Sequence, residues 1–259
     1  MESVVKSQEP LVSQLSLRVL EHELKTPINV VDGYLDMLRR PLEPERMAWI
    51  LDRCEIRLAG MRQLIDDLVV LARVDEKDGS DKKHEFERTS ELRGTATVTQ
   101  LLRSVTLMYR EIAVAAEVQL LIPDETVLGP ELARRSVPGT GRELEIVLAN
   151  LVGNAIRYNR PGGKVWLQVD GGDVDNGYDA ENESRWRLRF VVSDTGIGIA
   201  TEEIPRITDA FVRGQSSQTQ EIPGSGLGLW IVQQLVRRCG GTLEIESTLG
   251  EGASFIVKF

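Results

Sequence analysis

Two histidines occur in the 259 residues, His22 and His84, and they stand in different company. His84 lies in the charged run EKDGSDKKHEFER, where an imidazole is an ordinary solvated side chain. His22 opens the hexapeptide His22-Glu23-Leu24-Lys25-Thr26-Pro27. A carboxylate therefore stands beside an imidazole and could take the Nδ1 proton while Nε2 attacks phosphorus. His22 is two residues from both Leu20 and Leu24, about 200° around a helix from each, so its ring points away from the apolar stripe those leucines share. Thr26, four residues on, shares its face. Pro27 removes the amide that would bond the Glu23 carbonyl, so the helix should bend just beyond the histidine.

Four later segments carry a second chemistry. Asn150-Leu-Val-Gly-Asn154-Ala-Ile-Arg157-Tyr158 sets two amides, a guanidinium and a phenol within about two helical turns, offering oxygens to Mg²⁺ and a cation to phosphate. Taken alone, this segment reads equally well as a helix with stray polar groups. Asp194-Thr-Gly196-Ile-Gly198-Ile follows a strand, and its glycines let backbone approach a ligand beside a carboxylate able to accept the exocyclic amine of adenine. Ile207-Thr-Asp-Ala-Phe211-Val-Arg213-Gly and Gly224-Ser-Gly226-Leu227-Gly228-Leu then flank a polar stretch, Gln215 to Gln220, that reads as a mobile lid. The glycine loop enters a helix, whose N-terminus favours phosphate. It is neither a P-loop, because no GxxxxGK[ST] occurs, nor a dinucleotide turn, because it follows no strand.

Two regions must position these groups. Leu17, Leu20, Leu24, Ile28, Val31, Leu35 and Leu38 recur every three or four residues, and Met47, Ile50, Cys54, Leu58, Met61, Ile65, Leu68 and Ala72 repeat the rhythm after the break Arg40-Pro41-Leu42-Glu43-Pro44. That is an antiparallel helical hairpin over residues 1–75, and two helices cannot bury two such stripes, so a homodimeric four-helix bundle is expected. Residues 76–94 are polar and read as a linker. Residues 95–259 mix strands (Val165 to Val169, Arg187 to Val192, Thr242 to Ser247, Ala253 to Lys258) with helices (Arg142 to Tyr158, Leu227 to Arg238), the pattern of a layered α/β sandwich. The fold class expected for the whole is α+β in two domains.

Forty acidic residues against 31 basic give a net charge of −9, which excludes an electrostatic footprint for nucleic acid or an anionic membrane. No apolar run reaches the roughly 20 residues of a spanning helix. A soluble cytoplasmic chain, or the soluble part of a larger sensor, is expected. Cys54 and Cys239 lack ligand spacing and read as reduced packing residues.

HELKTP resembles the phosphoacceptor box of sensor histidine kinases, and the four later segments, in their order, resemble the N, G1, F and G2 boxes of the ATP-binding domain that those kinases share with gyrase-type, Hsp90-type and MutL-type ATPases. The likeness runs from Leu15 to Phe259, weakest between Glu117 and Arg142. It implies a dimer whose His22 takes a phosphoryl group from Mg-ATP and passes it to the receiver domain of a response regulator. It further implies Glu23 as base, Asn154 as the main Mg²⁺ ligand, Asp194 as the adenine-reading acid, Arg157 and Arg213 as phosphate contacts, and Tyr158 at the edge of the site. Asn150 departs from the ATPase relatives, which carry glutamate there to activate water; an amide is no general base, so the site should hold ATP for a histidine. Arg157 stands where lysine is commoner, and Cys239 where histidine often precedes a Gly-Gly pair. Thr26 resembles the residue that positions water on a phospho-aspartate, which leaves open a regulator-binding phosphatase; a superfamily ATPase or serine kinase that bypasses histidine is the other alternative.

Overall fold

The computed structural model of the chain describes residues 17–39, 41–76, 96–172, 178–179, 184–185, 187–214 and 222–259. His84, Leu15, the linker from 77 onward and the lid stretch from Gln215 to Gln220 lie outside the described residues.

Helix α1 (Leu17–Leu38) and helix α2 (Pro44–Glu76) form the hairpin. Proline suits the first position of α2, where its missing N–H would have no partner, and the Glu43 carbonyl receives the amides of Arg46 and Met47, each at 3.0 Å. Pro27 does not end α1, which runs through it. Near the turn, Tyr34 meets Trp49 edge to face at 5.9 Å, and Arg53 caps the Trp49 ring at 5.5 Å. Leu20, Ile50 and Cys54 of the two stripes are buried, whereas Ile28, Leu35, Met47, Leu58 and Ile65 of those stripes remain exposed; on the second half of α2 it is Leu64 and Leu71, one residue before the expected Ile65 and Ala72, that are buried. Each helix thus spends only part of its apolar arc on the other. The chain divides into two units, and residues 215–227 group with this helical one.

The second unit, residues 83–214 and 228–259, is a five-stranded sheet covered by helices. Its elements are α3 (Val98–Ala115), β1 (Gln119–Leu121), α4 (Glu125–Ala133), α5 (Gly141–Arg157), β2 (Lys164–Gly171), the two-residue pair β3 (Tyr178–Asp179) and β4 (Ser184–Arg185), β5 (Leu188–Asp194), α6 (Gly228–Arg238), β6 (Thr242–Thr248) and β7 (Gly252–Lys258). Strand order is β1-β2-β5-β7-β6, with β1 parallel to β2 and the remaining pairs antiparallel. Alternate residues Val165, Leu167 and Val169 of β2 and Leu188, Phe190 and Val192 of β5 are buried, the period of a sheet with one face against helices. Leu144, Val147, Leu148 and Leu151 of α5 supply the opposing stripe, each burial contributing about 1.5–3 kcal/mol.

Capping boxes fix where the helices start. Thr97 and Gln100 exchange side-chain and backbone bonds at α3, as Thr140 and Glu143 do at α5. Glu143 has a second duty, pairing with Arg238 at 3.3 Å beside Cys239, which ties the start of α5 to the end of α6. The stretch from Glu117 to Arg142, to which sequence motifs assign nothing, forms β1 and α4 at the sheet edge.

Candidate functional site

On α1 the His22 ring is 76% exposed, and its Nδ1 lies 3.3 Å from Glu23 Oε1. Glu21 and Lys25 pair with each other at 2.5 Å, leaving Glu23 as the carboxylate on the imidazole. In the tautomer whose Nδ1–H donates to Glu23, Nε2 carries the lone pair. The Thr26 hydroxyl donates to the His22 carbonyl at 2.8 Å, so in this arrangement it braces the turn ahead of Pro27.

In the second unit the Asn150 amide donates to the Ile146 carbonyl at 3.0 Å, which fixes its orientation and turns Oδ1 toward the start of α6. There the Gly228 backbone passes close to α5: a Cβ would crowd Asn150 Oδ1 at 2.8 Å, with the Asn154 amide in ordinary contact at 3.9 Å. Helix α5 thus presents Asn150 and Asn154 to the N-terminus of α6, where unpaired amides favour an anion.

Arg157 and Tyr158 close α5. The Tyr158 carbonyl receives the Ile197 amide at 3.1 Å, and a Cβ on Gly196 would come within 2.3 Å of that carbonyl. The loop after β5 therefore lies flat on the end of α5. Gly198 takes φ +66, beside the Thr248 carbonyl. Asp194 ends β5 half-buried, with Oδ1 accepting the Gly196 amide at 2.8 Å. Burial holds its carboxyl above the usual range, and the amides of Gly196 and Ala253 pull it partly back. A desolvated carboxylate in a fixed orientation is a discriminating acceptor.

After β5 the 3₁₀ turn Ile204–Arg206 leads to Thr208, whose hydroxyl receives Gln233 Nε2 of α6 at 3.0 Å. Phe211 follows in the left-handed region at φ +65, unusual for a bulky residue, and Arg213 is half-buried beyond it. Gly224, Ser225, Gly226 and Leu227 belong to the helical unit; Gly226 takes φ +75 and Leu227 donates its amide to Ser225 Oγ at 3.0 Å.

The fold thus gathers Asn150, Asn154, Tyr158, Asp194, Gly196 and Gly228 around the ends of α5, β5 and α6, while His22, Glu23 and Thr26 share α1. Motif reading missed Tyr109, whose hydroxyl would meet a Cβ on Gly153 at 2.9 Å, so that α5 carries glycine between its two asparagines because α3 approaches closely. Its only sequence signal is the spacing Leu101, Val105, Tyr109. Cys239 is packed against Glu143 and its thiol is pushed up to about 12, chiefly by burial and then by that carboxylate, so it stays protonated.

Residues 14–77 match the His Kinase A (phospho-acceptor) domain, and residues 139–259 match the histidine kinase-, DNA gyrase B- and HSP90-like ATPase domain. The autoinducer 2 sensor kinase/phosphatase LuxQ of Vibrio parahaemolyticus is 28% identical over 241 residues, 93% of this chain and 26% of its own length. The chain therefore spans about a quarter of that relative. Full-length ShkA, solved in complex with AMPPNP, is 26% identical at a TM-score of 0.53, the match covering 93% of this chain and 44% of that one. ThkA, solved with the response regulator protein TrrA, shares the fold at 18% identity and a TM-score of 0.58, covering 93% of this chain and 60% of that one. With a phosphoacceptor domain followed by an ATPase-type domain in one chain, this protein belongs to the sensor histidine kinases, of which it is the catalytic core.

Proposed function

We propose that the chain phosphorylates its own His22 with Mg-ATP and passes the phosphoryl group to an aspartate on the receiver domain of a response regulator, acting as a homodimer. The observation that carries this reading is the exposed His22 with Nδ1 on the Glu23 carboxylate. In the transfer, Nε2 forms a bond to the γ-phosphorus, the bond from that phosphorus to the ADP oxygen breaks, and the Nδ1 proton moves to Glu23, leaving an uncharged imidazole ring that carries the anionic phosphoryl group.

The nucleotide would lie across the ends of α5, β5 and α6, with Asp194 accepting the adenine amine, Gly196 and Gly198 under the base, and Tyr158 and Phe211 at its edge. Arg157, Arg213 and the glycines Gly224, Gly226 and Gly228, with Leu227 anchoring their loop, would face the phosphates. The donor set suits magnesium: two amide oxygens are too few to enclose the ion, which prefers to keep waters and phosphate oxygens, so Asn154 would hold it with Asn150 beside. Bound there, the ion would offset charge on the transferring phosphoryl group.

Ile28, Leu35, Met47, Leu58 and Ile65, left exposed by the hairpin, supply an apolar face for a second copy completing a four-helix bundle. Among the described residues no helix is long and apolar enough to cross a membrane. A cytoplasmic setting, with any sensor segment elsewhere in a longer chain, completes the proposal.

Labelled γ-³²P-ATP tests the reading: acid-labile, alkali-stable label on the parent, absent from His22→Gln, while nucleotide affinity stays near normal. Label elsewhere overturns it. The Thr26 hydroxyl supports a second duty, since it sits one turn from His22 and could orient water on a phospho-aspartate after leaving the His22 carbonyl. Thr26→Ala should then spare His22 labelling yet slow phosphate release from a purified phospho-regulator; equal release rates make Thr26 structural.

A further inference from the structure

Asp67 is a carboxylate in the interior of the helical unit, with 5% of its surface exposed. Such a group is costly to desolvate unless charge-assisted hydrogen bonds compensate it. Gln63 Nε2, one turn earlier on α2, donates to Oδ1 at 3.0 Å. The other oxygen, Oδ2, receives the hydroxyl of Ser225, from the glycine loop that leads into α6. That hydroxyl oxygen simultaneously accepts the Leu227 amide at 3.0 Å, so the carboxylate holds the loop through the atom that organises its turn. Gly60 sits two turns before Asp67 on the same face of α2, and the Gly224 backbone lies 3.7 Å from where its Cβ would be. A small residue at Gly60, an amide at Gln63 and an acid at Asp67 together form a seat for the Gly224 to Leu227 loop.

A loop rich in glycine, carrying a hydroxyl and leading into a helix N-terminus, has the chemistry to bind phosphate. Here the hydroxyl serves a carboxylate instead. We propose that Asp67 is an autoinhibitory latch: it occupies Ser225 as an anionic rival of the nucleotide's phosphates, so the α2 seat and ATP compete for one loop. The proposal rests on the nucleotide-binding reading above. Its thermodynamic content is that ATP binds only the fraction of molecules whose loop has left α2, which lowers apparent affinity by that fraction. Any movement of α2 that displaces Asp67 from the loop would raise ATP occupancy without altering a nucleotide contact.

Calorimetry of the full chain with ATP and with adenosine separates the possibilities. Asp67→Asn keeps the shape and the ability to accept from Gln63 but removes the charge; it should bind ATP about tenfold more tightly, the scale of one charge-assisted hydrogen bond, with adenosine affinity unchanged. His22 labelling at sub-saturating ATP should accelerate in step. Because a buried substitution can loosen the hairpin, a second measurement uses the Asp67→Cys, Ser225→Cys pair: oxidation should bridge it readily, and ATP should slow the bridging while adenosine does not. Unchanged ATP affinity in Asp67→Asn, equal gains for ATP and adenosine, or bridging indifferent to ATP overturns the latch and leaves the kinase reading intact. A parent chain that binds no ATP overturns both.

Discussion

Asp194→Asn should weaken nucleotide binding without lowering stability, a combination that no unfolding artefact can imitate. The carboxylate is held by the Gly196 amide at 2.8 Å and by the Ala253 amide, inside a site dry enough to keep its pKa above the ordinary range. Asparagine fits the same volume and can still accept from one amide, but it replaces the charged acceptor for adenine with an NH₂ that confronts the purine amine. Loss of a hydrogen bond to a charged group is worth about 1.5–3 kcal/mol. At about 1.4 kcal/mol per decade, ATP affinity should fall between roughly tenfold and 150-fold, and the preference for ATP over GTP should narrow. Stability follows the pKa. Because the folded value is raised, the folded state holds the proton more tightly than the unfolded chain does. The group's contribution is therefore present below the unfolded pKa and lost as pH rises through the folded one. A neutral side chain escapes that loss, so at pH 7 the variant should melt no lower than the parent. Calorimetry with ATP and GTP, beside thermal melts at pH 7, checks both. Unchanged ATP affinity would remove Asp194 from the base site; a melting temperature falling together with affinity would make it a structural residue.

Glu23→Gln should retain helicity yet slow His22 labelling on the order of 100-fold, the effect of removing a general base, and an unchanged rate would exclude Glu23 from proton transfer. Gly228→Ala pushes a methyl to 2.8 Å from Asn150 Oδ1; magnesium-dependent ATP binding should weaken while adenosine binding persists, as paired titrations would show. With Cys239 pushed up to about 12 and Cys54 buried, the native chain should resist iodoacetamide at pH 8, and Glu143→Gln should hasten labelling of Cys239, read by mass spectrometry. Prompt alkylation of the parent would refute the assigned environment.

Local patterns were enough to read the two hairpin stripes, the hexapeptide at His22, the strands flanking Asp170 to Ser184, and the glycines around Asp194 and Gly228. Each reports on backbone period, on a turn, or on a chemical group beside its neighbour in the chain, and such signals do not depend on what packs against them. The α3, β1 and α4 stretch escaped motif reading because its chief determinant is remote: β1 exists through parallel pairing with β2, as in Leu120 with Val165. The tertiary structure also decided which members of each apolar stripe are buried and which stay exposed. Only folding revealed that Gly153 makes room for Tyr109, that the Thr26 hydroxyl braces the His22 carbonyl, and that Asp67 meets Ser225. Asp67 and Ser225 are 158 residues apart in the chain. Sequence spacing carries the chemistry a residue can offer; which partner it finds is settled by long-range packing, where desolvation makes every buried polar group take one.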